Sequence, residues 1–243
     1  MKDRLMSRLG LWRGSAGPFK AAADDRPAGD GGPIEQAFFG HEGPVIHKWH
    51  HYLPVYDRHF APWRGRQVRL LEIGVFKGGS LALWSGYFAP GSTIIGIDID
   101  PACASLDVTP ARVMIGSQDD PAFLAKVVET FGGAIDIVID DGSHQARHMR
   151  RSFDLLFPFV ADGGLYVVED LHCAYWKQFG GGFRRATFIA KAKQVLDDMH
   201  HWYHPHGRAP AHAGVAAMHC YDSIIVFDKG REERPINSKR GGA

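Results

Sequence analysis

Two short apolar runs in this chain stop abruptly in acid. One is Asp136-Ile-Val-Ile-Asp140-Asp141-Gly142-Ser143-His144, and the other is Gly164-Leu-Tyr-Val-Val-Glu169-Asp170. A buried parallel strand reads this way when its carboxyl end opens into a crevice. In a doubly wound sheet, ligands bind at that edge. A lone acid at a strand end is ordinarily a cap or a turn residue. Here Asp141, Glu169 and Asp170 arrive from two strands expected to be neighbours. Three unpaired carboxylates in one crevice repel one another unless a cation compensates them. All-oxygen ligation selects a hard ion, Mg²⁺ first, with Mn²⁺ or Ca²⁺ as substitutes. His144 follows Asp141 by three residues, at an expected helix start. A neutral imidazole is a base suited to pH near 7. His144 is therefore the candidate catalytic base, beside an ion that would orient a substrate hydroxyl and lower its pKa.

The first expected strand ends Leu71-Glu72-Ile73-Gly74-Val75-Phe76-Lys77-Gly78-Gly79-Ser80, and a helix follows. Glycine at such a turn lets the backbone bend sharply and present amides at a helix N-terminus. Dinucleotide loops need a second glycine two positions after the first, so that a pyrophosphate can approach. That position is Phe76, which disfavours phosphate. S-adenosylmethionine offers a carboxylate, an ammonium, a ribose and an adenine but no phosphate, and it suits this loop. Glu72, Gly74 and Ser80 are the expected contacts, with Ser80 placed for the methionine carboxylate. Asp98, at the tip of the second strand, would accept both ribose hydroxyls, although an NAD site would use an acid there too. After the third strand, Gln118 is read as an adenine-edge contact. The same stretch reads equally as a helix cap, with Asp119 or Asp120 before Pro121. Asp141 counts as a cofactor contact as well as a metal ligand.

Beyond Asp170, Tyr175 and Trp176 would either stack on a sugar or aromatic acceptor or cap the sheet edge. His172 would either touch the ion or support a residue that does. These three are the expected acceptor side. The run His200-His201-Trp202-Tyr203-His204-Pro205-His206 lacks an accompanying cysteine or acid at ligand spacing, and zinc is not expected there. Arg147, His148, Arg150 and Arg151 read by default as a solvated helix face.

Elements that position these residues alternate along the chain. Strands are expected over residues 68–75, 93–98, near Val113, at Ile135 and at Leu165. Helices are expected over 80–88, 121–131 and 145–157. This order argues for parallel strands with right-handed crossovers. A long helix over about 183–202 would pack Phe188, Ala192, Val195, Met199 and Trp202 as one stripe. Runs at 215–220 and 223–227 would close the sheet as an antiparallel hairpin. The aromatic run from His47 to Phe60 reads as a helix covering the sheet, with a place at the cofactor mouth as the lesser alternative. Residues 1–45 are expected as a mobile lead-in, 46–230 as the domain and 231–243 as a polar tail. The 243 residues are enough for a full core in one domain. A net charge of +1 gives no general pull toward nucleic acid or anionic membrane, and neither is an expected partner. Three scattered cysteines without a CxxC pair fit reduced thiols in a cytoplasmic protein.

The segments Glu-Ile-Gly-Val…Gly-Gly-Ser, Asp-Asp-Gly-Ser-His and Glu-Asp-Leu-His-Cys-Ala-Tyr-Trp together resemble the metal-dependent class I methyltransferases. Within them, the chain is most similar to the macrolide sugar O-methyltransferases of the mycinamicin type, over about residues 47–230. Catechol O-methyltransferase is a distant likeness. In that family the acids matching Asp141, Glu169 and Asp170 bind Mg²⁺, and the histidine matching His144 is the base. The resemblance implies an α/β fold with a doubly wound, mostly parallel seven-stranded sheet and a C-terminal antiparallel hairpin. It implies an S-adenosylmethionine- and Mg²⁺-dependent O-methyltransferase whose small-molecule acceptor carries a sugar hydroxyl, on a natural product or a glycan. A homo-oligomer is left open. The lead-in is far shorter than the long N-terminal domain of the macrolide enzymes, which puts a large macrolide glycoside in doubt as the acceptor. Two rival readings are a nicotinamide-dependent oxidoreductase, opposed by Phe76, and a non-catalytic cofactor-binding scaffold, opposed by the complete acid set with His144.

Overall fold

The computed structural model describes residues 31–182, 186–205, 207 and 209–242. Its strands are β1 (Arg69–Ile73), β2 (Thr93–Asp98), β3 (Arg112–Ile115), β4 (Ile135–Asp140), β5 (Val160–Val168), β6 (Val215–Cys220) and β7 (Ile225–Lys229). Its helices are α1 (Pro33–Phe39), α2 (Leu53–Phe60), α3 (Gly79–Tyr87), α4 (Pro121–Thr130), α5 (Ala146–Leu156) and α6 (Phe188–Met199). The seven strands form one sheet in the order β3-β2-β1-β4-β5-β7-β6. Strands β1 to β5 run parallel, and β7 pairs antiparallel with both β5 and β6. This is a doubly wound, mostly parallel sheet closed by a C-terminal antiparallel hairpin, as the resemblance implies.

Period-two alternation sends neighbouring side chains of one strand to opposite faces. Leu71 and Ile73 of β1 join a core with α4, α5 and α6, whereas Leu70 joins a second core with α1, α2 and α3. Phe153 of α5 is fully buried and its ring meets those of Phe157, Tyr166, Phe188 and Phe227. Trp84 of α3 does the same on the other face, against Tyr56 and Phe60 of α2. Each such ring contributes about 1.5–3 kcal/mol by leaving water.

Asp120, one of the two caps expected before Pro121, caps α4 by accepting from the amides of Ala122 and Phe123. Several other expectations shift. The helix expected over 183–202 begins at Phe188, because Thr187 accepts from the Ala190 amide and caps it. Residues 183–185 lie outside the described residues. Trp202 falls in a following 3-10 turn and is exposed, so it leaves the apolar stripe. The last strand starts at Ile225, since Ser223 takes the left-handed conformation that makes the hairpin turn. Within the stretch expected as a lead-in, residues 33–39 form α1. Its Ile34 is fully buried, and the Ile34 amide donates to Asp57 Oδ1 at 2.8 Å.

Candidate active site

The sheet order reverses at β1, whose neighbours β2 and β4 lead in opposite directions, so a crevice opens beyond its carboxyl end. Gly74 sits there with φ +96°, and a Cβ on it would come 2.2 Å from the Asp141 carbonyl oxygen. Only glycine allows β1 and the β4 exit to approach so closely. Asp140 pairs with Val168 in register across β4 and β5. The next residues, Asp141 and Glu169, therefore leave the sheet side by side. Asp170 and His144 both take left-handed backbone conformations (φ 54° and 55°). Asp and His tolerate that region better than most side chains, and such strain concentrates at functional sites.

The acids are not unpaired. Lys48 Nζ donates to Asp141 Oδ2 at 2.5 Å and to Glu169 Oε1 at 2.6 Å, and lies 3.9 Å from Glu72 Oε1. Burial disfavours the ammonium, but Asp141, Glu169 and Glu72 outweigh it and raise the Lys48 pKa above the ordinary lysine value. The Tyr56 hydroxyl also donates to Glu169 Oε1. Burial and then Asp141 push the Glu169 pKa up, against Lys48 and Tyr56. The Tyr52 hydroxyl donates to Asp170 Oδ1 at 2.9 Å and accepts from the Asp170 amide at 3.1 Å. The expectation of three bare carboxylates is corrected accordingly: one cation of the chain itself already bridges two of them.

What remains open is a smaller donor set. Asp141, His144 and Asp170 each offer one ligand atom within 4.8 Å of the others. His144 Nε2 lies 3.6 Å from Asp170 Oδ2, and His144 Nδ1 is buried without a hydrogen-bond partner. Two carboxylates facing one cavity are oxygen donors that a hard divalent ion fits, and the imidazole beside them is left to hold a proton. Glu169, 1% exposed, backs this set and is held by Lys48 and Tyr56.

A cavity of about 460 Å³ joins these residues to the glycine turn, with Gly74, Ser80, Asp98, Asp141, His144 and Asp170 in its wall. A second, of about 280 Å³, contains Gln118 and shares Gly74, Asp98 and Gly142 with the first. Asp98 accepts from the amides of Val75 (2.9 Å), Phe76 (3.3 Å) and Asp100 (2.9 Å). Burial pushes its pKa up, but those amides outweigh burial and lower it below the ordinary aspartate value. Glu72 is fully buried under the cavity rather than in its wall, and burial pushes its pKa up to about 7. Ser80 turns its hydroxyl to Glu72 Oε2 at 2.8 Å instead of into the open space. Gln118 accepts from the Ser143 amide at 2.8 Å and donates to Asp140 Oδ1 at 3.1 Å, bracing the loop that carries Asp141 and His144.

A third cavity, of about 420 Å³, is lined by Trp49, His51, His172, Trp176, Asp222 and Ser223. Trp49 also lines the first, so the two adjoin. His172 and Trp176 thus come together in this cavity, while Tyr175 is half exposed outside its lining. Lys48, Trp49, Tyr52 and Tyr56 were not singled out by sequence reasoning. A signal existed: Tyr52 and Tyr56 are four apart and share a helical face, directly after the basic and aromatic run that begins at His47. That segment covers the sheet through Tyr52, Tyr56 and Phe60, and its Lys48 and Trp49 also line the first cavity. The basic cluster also departs from a wholly solvated face, since Arg147 and Arg151 both bind Asp119 (3.0 and 3.2 Å).

A family model described as a methyltransferase domain matches residues 71–171. A tetracenomycin rhamnosyl 3'-O-methyltransferase of Streptomyces olivaceus is 42% identical over 75% of this chain and 50% of its own. The mycinamicin VI 2''-O-methyltransferase of Micromonospora griseorubida is 39% identical over 76% of this chain and 49% of its own. The solved structure of the MycE methyltransferase from the mycinamycin biosynthetic pathway, in complex with Mg and SAH, aligns with a TM-score of 0.72 at 38% identity. It covers 79% of this chain and 52% of that one. The chain spans about half the length of the curated relatives it matches.

Proposed function

We propose, for a chain that carries a class I methyltransferase domain similar to sugar O-methyltransferases of natural-product pathways, that it transfers the methyl group of S-adenosylmethionine to a sugar hydroxyl. The observation that carries this reading is the continuity of the glycine-turn cavity with the Asp141–His144–Asp170 cluster. A donor bound along Gly74 and Asp98 meets an acceptor held at the acids without either crossing a wall.

Asp98 stays ionised and accepts the ribose hydroxyls, while the Gln118-braced second cavity receives the adenine. Asp141 and Asp170 would hold Mg²⁺, with Glu169 behind them. The ion, when bound, supplies Lewis acidity and orientation for the acceptor hydroxyl. His144 takes the hydroxyl proton on its imidazole, and Asp170 Oδ2, 3.6 Å from Nε2, favours the resulting positive charge. Trp49, His172 and Trp176 bury the apolar faces of the acceptor sugar and exclude water. Most of the acceleration then comes from holding donor and acceptor in line. The site works on a small molecule, with no nucleic acid or membrane partner. Among the described residues, no helix is long and apolar enough to cross a membrane, and the three cysteines are free thiols.

A second reading is favoured by the Lys48 contacts. If the Lys48 ammonium neutralises Asp141 and Glu169 permanently, the same transfer runs without a metal. Labelled S-adenosylmethionine offered with a panel of rhamnosides and related glycosides, in excess chelator and then with Mg²⁺ restored, separates the two. Transfer that needs Mg²⁺ supports the first reading, and undiminished transfer in chelator supports the second. Tight S-adenosylhomocysteine binding without transfer to any glycoside would overturn both.

A further inference from the structure

A second cluster of ligand-type side chains lies away from the active site, where α2 meets the C-terminal hairpin. His219 of β6 is opposite Val226 of β7, and Asp228 follows Val226 by two. Alternation therefore puts His219 and Asp228 on one face of the sheet, as diagonal neighbours. His219 Nε2 lies 3.1 Å from Asp228 Oδ2. His59, in the last turn of α2, packs its ring 4.6 Å from that of His219 and contacts the Tyr221 hydroxyl through Nε2 at 2.9 Å. One ligand atom from each of His59, His219 and Asp228 falls within 4.8 Å of the other two. The other carboxylate oxygen, Asp228 Oδ1, is buried and has no hydrogen-bond partner.

We infer that His59, His219 and Asp228 form a transition-metal site, selective for Zn²⁺, that clips α2 to the β6–β7 hairpin. Two imidazoles and one carboxylate are a recurrent three-ligand zinc set, with water completing the tetrahedron. Nitrogen donors exclude Ca²⁺ and Mg²⁺ as preferred occupants. The Tyr221 hydroxyl supplies the kind of outer partner that orients a ligating histidine. An ion here bonds α2, which carries Tyr56 and is capped by Tyr52, to the hairpin, and so steadies the donors to Glu169 and Asp170 from outside the active site.

The test uses the full chain, stripped with chelator and titrated with Zn²⁺, with bound metal measured after desalting. Wild type should hold one more equivalent of Zn²⁺ than either His219→Ala or His59→Gln. The Asp170→Asn variant should keep that equivalent, which separates this site from the acids of the active site. At a hundredfold excess over the dissociation constant, Zn²⁺ should raise the wild-type Tm by roughly 5–10 °C, and leave His219→Ala unmoved. Co²⁺ in place of Zn²⁺ should give visible absorption that disappears in His219→Ala, while far-UV circular dichroism shows the variant folded. Equal Zn²⁺ uptake and an equal Tm rise in wild type and both histidine variants would mean adventitious binding only and overturn the proposal.

Discussion

Lys48 Nζ and Glu169 Oε1 are 2.6 Å apart although 121 positions separate them in sequence, and both side chains are almost wholly buried. The contact ties the segment before α2 to the end of β5. It also decides the electrostatics of the site, because a buried carboxylate without a counter-charge is costly.

Replacing Lys48 by Met leaves Glu169 buried beside Asp141 with no cation. The expected loss is about 3–5 kcal/mol of unfolding free energy, read from urea denaturation. Added Mg²⁺ should recover more stability in Lys48→Met than in wild type. A loss below about 1 kcal/mol would mean that Glu169 is simply protonated in the folded protein.

Changing His144 to Ala should lower the methyl-transfer rate by roughly 10²–10⁴-fold. Calorimetric S-adenosylhomocysteine binding should stay within a few-fold of wild type, since the proposed donor contacts, Gly74 and Asp98, lie elsewhere in the cavity wall. Near-normal turnover would remove His144 as the base.

Glu72 is fully buried with its folded pKa up at about 7, through burial first, with Lys48 opposing. A carboxyl whose folded pKa lies above its unfolded value, near 4.5, binds more protons when folded. Stability from this group is therefore present below pH about 4.5 and is lost as pH rises toward 7. Glu72→Gln mimics the neutral form. It should flatten the stability profile over that window by about 1–3 kcal/mol, measured by denaturation at a series of pH values. An unchanged slope would place the titration elsewhere.

Trp176 lines the third cavity and its ring lies 4.9 Å from that of His172. Trp176→Ala should raise the acceptor KM about tenfold, with kcat and donor affinity little changed, because it removes binding shared by ground and transition states. A change in donor affinity instead would assign Trp176 to the cofactor side.

The polar networks explain what could be read early and what could not. Strand ends at Asp98, Asp140 and Val168 were legible because a parallel strand buried on both faces is a continuous apolar run that stops at the crevice. Gly74, Asp98, Asp141, His144 and Asp170 sit at or just past those ends, so their gathering in one cavity followed from the strand order. Ser80 and Gln118 were named for their positions, yet their polar groups turn to Glu72 and to Ser143 and Asp140. Position along the chain does not determine where a polar side chain finds its partner.

By itself, the sequence determined the alternation of strands and helices, the antiparallel closing hairpin and the acids at the sheet edge. These rest on local periodicity, which needs no knowledge of distant residues. Only the tertiary structure decided that Lys48 and Tyr56 hold Glu169 and that His59 reaches His219. Those contacts join residues more than a hundred positions apart. Their partners are selected by how α2 docks across the sheet, through packing of Tyr56 and Phe60 against Trp84, which no local pattern encodes.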